Sequence, residues 1–193
     1  MSSIQPTSQE TTVKNTYEID PSHSSVHFSI RHMMISNVRG GFSNVKGTIA
    51  YDPDDLTQSG IRAEIEVNSI NTLDEKRDAH LKTPDFFDVE HFPTITFVST
   101  QIEKLSDTEF NVTGDLTIHG VTKPTVLKVE EVSPEGKDPW GNIRVGASAK
   151  AKVSRKDFGL VWNAPMETGG ILIGDDVKLE FDIEMIKAQR AAA

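Results

Sequence analysis

Eight segments of this chain carry apolar residues at every second position, and that alternation decides most of what the chain can fold into. A period of two marks a strand with one buried and one wetted face. It runs through Val26, Phe28 and Ile30, flanked by Ser25, His27, Ser29 and Arg31. It returns at Val45, Gly47, Ile49 and Tyr51, and again at Ile61, Ala63, Ile65 and Val67. Ile95 and Phe97 open a fourth run, and Phe110, Val112, Gly114, Leu116 and Ile118 make a fifth. Leu127 and Val129 make a sixth, started by Pro124, because proline cannot sit inside a central strand. Val145, Ala147, Ala149, Ala151 and Val153 make the seventh; Val177, Leu179, Phe181, Ile183 and Met185 make the eighth.

Turn chemistry separates most of these runs: Asp52-Pro53-Asp54-Asp55, Ser59-Gly60, Ser106-Asp107, His119-Gly120 and Asp138-Pro139-Trp140-Gly141. Short connections imply antiparallel neighbours. A flat sheet of this width would leave its apolar face bare. Closing it into a barrel hides that face and removes the edges, and a two-sheet sandwich is the competing solution. One segment departs from the pattern. Thr72-Leu73-Asp74-Glu75 reads as a capping box and predicts a helix from Leu73 to Lys82, ended by Pro84. Leu73, Arg77, His80 and Leu81 then share a face. With the Phe-rich loop Asp85-Phe86-Phe87-Asp88 behind it, this helix reads as a lid over one barrel mouth.

The 193 residues suit one domain. Residues 1–15 are polar and aperiodic and read as a disordered lead-in. The domain spans 16–188, and 189–193 form a tail ending in Ala191, Ala192 and Ala193. Twenty Lys and Arg against 29 Asp and Glu give a net charge of −9. That balance argues against nonspecific nucleic-acid binding and against electrostatic docking on anionic membranes. The absence of cysteine excludes disulfides, thiolate catalysis and Cys-ligated metal sites. The N-terminus has no basic and apolar leader, and no run approaches the ~20 apolar residues of a spanning helix. The expectation is a cytoplasmic protein without stable membrane insertion.

The seventh run is unusual because alanine is a poor strand former and cores favour bulky side chains. Ala147, Ala149 and Ala151 on its apolar face leave space, as do Gly47 and Gly114 elsewhere. Either large neighbours such as Phe28, Phe97 and Phe181 fill that space, or the barrel keeps an apolar lumen for an elongated hydrophobic guest. The guest is energetically feasible. Each buried CH₂ contributes about 0.8 kcal/mol, so a few isoprene-sized units offset an association cost of ~4–15 kcal/mol.

Catalytic motifs are missing: there is no Gly-x-Ser-x-Gly, HExxH, P-loop or Gly-x-Gly-x-x-Gly. His23 and His27 lie ~13 Å apart on a strand, too far to share a metal. Asp52, Asp54 and Asp55 begin like a calcium loop but lack its later Gly and Glu, so they read as a turn. Asn111-Val112-Thr113 is a sequon inside a strand. Arg77 and His80 either anchor the helix, through Asp74 or Asp78, or meet a ligand head at the mouth. Arg155 and Asp157, beside Phe158-Gly159, are either a structural corner or part of the same mouth, with Trp162 close behind.

Taken together, the motifs resemble the YceI-like domain family from residue 17 to about 187. They begin with Asp20-Pro21-x-His23-Ser24-x-Val26-x-Phe28-x-Ile30-x-His32, then Val38, Gly40 or Gly41, Phe42 and Gly47. Thr72, Arg77-Asp78-x-His80-Leu81 and Asp85-Phe86-Phe87-Asp88 follow. Phe92-Pro93 stands where the family more often has Tyr-Pro, before Phe97-x-Ser99. The most recognisable run is Gly114-x-Leu116-Thr117-Ile118-His119-Gly120-x-Thr122-Lys123-Pro124, and Arg155-x-Asp157-Phe158-Gly159 closes the set. The resemblance implies an all-β, lipocalin-like eight-stranded antiparallel barrel. It implies a lumen for a long-chain amphiphile: a polyisoprenoid, an isoprenoid quinone or a fatty amide. Many relatives are periplasmic. Ala147 stands where many relatives carry a large aromatic, which implies a wider or differently shaped lumen here. No catalytic residues come with the family.

The leading expectation is therefore a noncatalytic carrier or sequestration protein that needs no cofactor beyond its bound isoprenoid lipid or quinone. Phe28, Ile30, Phe42, Ile65, Phe97, Leu116, Ala147, Ala149 and Phe181 are the candidate tail contacts. Phe86, Phe158 and Trp162 are candidate mouth contacts, with Arg77, His80 and Arg155 for the polar head. The alternatives are a lipid hydrolase with His80 or His119 as base, and a protein-interaction module or homodimer with a packed barrel.

Overall fold

The computed structural model describes residues 15–52, 55–165 and 170–188; the expected lead-in up to residue 14, Asp54 and the tail 189–193 lie outside them. Twelve strands form one sheet. They are β1 (Asn15–Ile19), β2 (Ser25–His32), β3 (Ser36–Phe42), β4 (Val45–Tyr51), β5 (Gly60–Glu66) and β6 (Ile70–Asn71). After the helix α1 (Glu75–Leu81) come β7 (Thr94–Lys104), β8 (Phe110–Ile118), β9 (Val121–Glu130), β10 (Gly136–Lys137), β11 (Ile143–Ser154) and β12 (Ile173–Lys187).

Three broken staves, and the two-residue β10 that only flanks β11, reconcile this with eight staves. β1 and β2 pair with β4 and β3, so residues 15–51 form one long hairpin interrupted near its middle. β4 pairs with β5 and β3 with β6, which repeats the break one stave further on. The ladder then continues β5–β7–β8–β9–β11–β12. β12 closes it by pairing with β2 along its first part and with β1 at its end. Every ladder is antiparallel. The result is a closed eight-stranded antiparallel barrel, which removes the sandwich alternative.

An ionic knot holds the β1–β2 break. Arg144, facing outward on β11, donates from Nε to Asp138 at 2.8 Å and from Nη1 to Asp20 at 2.7 Å, and it also bonds Glu184 on β12. Asp20 further accepts from the Ser22 amide and contacts His23 Nδ1 at 2.8 Å. Arg144 and His23 hold the Asp20 carboxyl well below the usual carboxylate range. The Arg144 guanidinium, helped by Asn142, does the same to Asp138.

Four local expectations are corrected. The helix is Glu75–Leu81, and its N-cap is Asp74, whose carboxylate accepts from the Arg77 amide at 3.0 Å. Thr72 is not the cap. It is buried and donates its amide and hydroxyl to Asp78. Leu73 does not share the Arg77 face: it is 95% exposed at φ +62°. Pro124 lies inside β9 rather than at its start. It lies opposite Asp115 of β8 and is tolerated because β9 pairs with β11 only at Lys128–Glu130, which leaves the other side of β9 an open edge at Pro124. Gly47 and Gly114 open no space. A β-carbon on Gly114 would fall 2.7 Å from Phe97 Cε2 and 2.6 Å from the Val98 carbonyl oxygen, and one on Gly47 2.9 Å from Ile19 Cδ1.

Two outcomes follow. Gly114→Ala overpacks the wall against Phe97 and lowers unfolding free energy by about 1–3 kcal/mol in urea titration. Arg144→Met removes the largest cause of the depressed Asp20 and Asp138 carboxyls, so both titrate closer to the ordinary carboxylate range. Because depressed carboxylates stabilise the fold above their unfolded pKa of about 3.9, the melting-temperature gap between wild type and variant is full at neutral pH. It narrows as pH falls below about 4. A gap independent of pH contradicts the knot.

Candidate functional site

The inward side chains enclose two chambers along the barrel axis. The inner one, about 200 Å³, is walled by hydrophobic side chains apart from Ser59 and Thr96. Phe42, Ile65, Phe97, Leu116, Ala147, Ala149 and Phe181 all line it. Ala149 is the space-maker, since it pairs with Phe181 on β12 and Val129 on β9 and leaves room beside both. Ala151 lines neither chamber, and Val153 lines the outer one. At the far end, Tyr17 packs edge-on to Tyr51 at 5.1 Å and donates its hydroxyl to Glu135. Burial, then Glu135, raises the Tyr17 phenol above its usual range.

The outer chamber, about 450 Å³, falls within the range of ligand pockets. Phe42, Ile95, Ile118 and Leu179 line both chambers and so form the waist between them. Phe28 and Ile30 belong to the outer chamber rather than the deep lumen. Phe28 fits there because residue 40 is glycine: a β-carbon on Gly40 would lie 2.6 Å from its ring.

All six expected mouth residues, Arg77, His80, Phe86, Arg155, Phe158 and Trp162, line this outer chamber. They are not equally free. Arg77 donates from Nε to Thr72 Oγ1 at 2.7 Å and from Nη2 to the Thr72 carbonyl at 2.8 Å, with Asp74 4.0 Å away. It anchors the helix. Arg155 is buried, and its guanidinium donates to the carbonyls of Gly174, Leu160 and Trp162 at 2.5–2.9 Å, with Asp175 at 3.5 Å. Burial lowers its pKa, partly offset by Asp175. That is the corner geometry, and Phe158 packs beneath it, 2% exposed. His80 differs. Its Nε2 meets Asp85 Oδ2 at 2.8 Å, and its ring stands edge-on to Phe86 at 5.1 Å and Trp162 at 4.9 Å. Nδ1 is the second ring nitrogen of His80, and the cluster also holds the indole Nε1 of Trp162. His119 sits apart, in the β8–β9 turn, against Phe92 at 4.5 Å.

Among the described residues, one group has metal-ligand spacing: Asp20, His23 and Glu184. Arg144 donates to both of its carboxylates, so a guanidinium already supplies the positive charge there. Asp55 caps a single 3₁₀ turn through the Thr57 amide, which fits the turn reading of that acidic run. No helix among the described residues is long and apolar enough to cross a membrane.

The family model for the YceI-like domain matches residues 17–185. The chain belongs to the YceI-like domain family. A UPF0312 protein of Staphylococcus aureus is 37% identical over 169 residues, covering 87% of this chain and 95% of that protein. A UPF0312 protein of Vibrio cholerae is 34% identical over 146 residues, covering 75% and 77%. The YceI protein of Campylobacter jejuni superposes with a TM-score of 0.71 at 31% identity, covering 83% of this chain and 91% of its own. A polyisoprenoid-binding domain from Saccharophagus degradans has the same fold, with a TM-score of 0.65 at 16% identity over 89% of this chain and 98% of its own.

The corner makes a prediction. Arg155→Lys keeps the charge but cannot span several carbonyls, so it lowers stability by about 2–3 kcal/mol in denaturant titration. An unchanged midpoint contradicts the clamp.

Proposed function

We propose that this barrel binds one long-chain amphiphilic lipid, tail inward, and carries or sequesters it without chemically changing it. One observation carries the reading: two abutting chambers run inward, the inner one apolar apart from Ser59 and Thr96, from a mouth where the charged groups collect. A polyisoprenoid, an isoprenoid quinone or a fatty amide suits such a shape, and family membership supports the same class. In this reading the tail crosses the waist at Phe42 and reaches Ala149. Arg77 and Arg155 shape the mouth, their donors engaged by the protein itself. His80, oriented by Asp85, offers its free nitrogen to the head group. No cofactor is required. The protein works as a soluble shuttle, and its cargo is its partner.

His80 hydrogen-bonded to Asp85 resembles half of a hydrolytic triad, and that favours keeping the hydrolase as a second reading. A base of this kind needs a nucleophile or water beside a lipid ester. A pH–rate profile on such an ester, abolished by His80→Gln, supports hydrolysis over carriage.

Ala149→Phe tests the carrier reading. Native mass spectrometry after incubation with a polyprenol or a long-tailed quinone gives a one-to-one adduct for the wild type. The variant, folded by circular dichroism, shows at least about tenfold lower occupancy as the inner chamber fills. Equal occupancy removes β11 from the site.

A further inference from the structure

Nine large hydrophobic side chains are exposed among the described residues. Six of them, Met33, Met34, Ile35, Leu73, Val161 and Ile171, gather around the mouth of the outer chamber. Their placement follows from their neighbours. His32, Asp74, Leu160, Trp162 and Leu172 all line that chamber, so each exposed segment is the next stretch of chain outward. A hydrogen bond from the Met33 amide to the Leu172 carbonyl, 2.8 Å, joins the β2–β3 hairpin tip to the segment before β12.

Two further observations set this rim apart. Met33, Met34 and Leu73 have φ of +50°, +59° and +62°. Left-handed backbone favours Gly or Asn, and an exposed turn gains no internal packing from Met or Leu there. Three of the rim segments are also uncharged: residues 33–38, 158–165 and 170–174 contain no Asp, Glu, Lys or Arg, whereas the α1 side of the mouth carries Asp74, Lys76 and Arg77. A contiguous apolar patch rimmed by polar surface marks an interaction site.

We infer that this rim docks on the surface of a lipid bilayer with neutral headgroups, placing the mouth against the phase from which the tail is drawn. The inference rests on the carrier reading for its purpose. The apolar tips enter the headgroup and acyl boundary. The acidic body, of net charge −9, sets the preference against anionic lipid, although Arg31, Lys76 and Arg77 line the chamber at the mouth. The uncharged arc formed by residues 33–38, 158–165 and 170–174, next to chamber-lining Leu160, Trp162 and Leu172, lets a tail slide inward without crossing water.

Co-sedimentation with vesicles of phosphatidylcholine and, separately, of phosphatidylglycerol tests it. The wild type pellets with phosphatidylcholine and less with phosphatidylglycerol. The triple variant Met34→Ser, Ile35→Ser, Val161→Ser, whose replaced side chains are exposed, keeps its melting temperature. Its partitioning falls at least about tenfold, or ~1.4 kcal/mol. Trp140→Ser, exposed at the opposite end, changes nothing. Wild-type protein left in the supernatant, or a triple variant that pellets equally, overturns the inference. So does a dimer abolished by the triple variant in the absence of vesicle binding, which assigns the rim to a second copy. Native mass spectrometry of the same samples separates the two readings. Bound cargo without vesicle binding leaves the carrier reading standing and removes the rim. Vesicle binding with a barrel that takes no lipid does the reverse.

Discussion

The rest of the structure depends on the ladder between β11 and β12. Eleven consecutive residue pairs, from Arg144 opposite Ile186 to Ser154 opposite Asp176, join the last two staves. β12 then reaches β2 and β1 on its other side, and the sheet has no long free edge. Closure buries an apolar face that would otherwise meet water along every strand. It also explains why the long hairpin at the start of the chain can be broken. β12 spans the break, and Arg144 ties its two sides together through Asp20 and Glu184.

The same ladder creates the cavity. A barrel of eight strands has an interior that ordinary side chains nearly fill. Space appears where a small residue faces inward with no neighbour moving into its place. Ala147 and Ala149 meet that condition, whereas Gly47 and Gly114 do not. At the glycines the neighbouring strand, Phe97 and Ile19 have closed in. The difference lies in the partner. An alanine still holds the strands at normal spacing, while glycine invites a ring or backbone to approach. Charged groups among the chamber-lining residues stand at the mouth, where Arg77, His80 and Arg155 are committed to Thr72, Asp85 and the carbonyls of the corner, and the inner wall is apolar apart from Ser59 and Thr96. The lumen itself is left to dispersion and the hydrophobic effect.

Much of this was legible in the residues. Strict alternation identified eight staves because one face of each is buried, and closure followed from the lack of any other cover for that face. Ala147 and Ala149 were legible because position on a pleat predicts direction, whereas Arg77 and His80 came from helical spacing and Phe86, Arg155, Phe158 and Trp162 from the loop and corner around them. The resemblance in Asp20 to His32 and in Gly114 to Pro124 narrowed a generic barrel to one family. What was not legible depended on tertiary company. Thr72 looked like a helix cap until Asp78 and Arg77 engaged it. Arg155 reads equally as a ligand contact or a clamp until the carbonyls around it are known. Pro124 looked like a strand start because a sequence does not show where a neighbouring ladder stops. The short halves β1 and β3 were faint because two glycines and a break at Asp20 interrupt their pattern.

The central claim is that the lumen holds a lipid tail. The most direct measurement is native mass spectrometry of the full chain purified without detergent, followed by solvent extraction and identification of what is released. The account predicts a stoichiometric adduct of several hundred daltons that disappears on extraction and proves to be a single-headed, long-chain lipid. A bare protein mass that persists after incubation with polyprenols and isoprenoid quinones contradicts it, and leaves the barrel as a closed scaffold whose surface alone does the work.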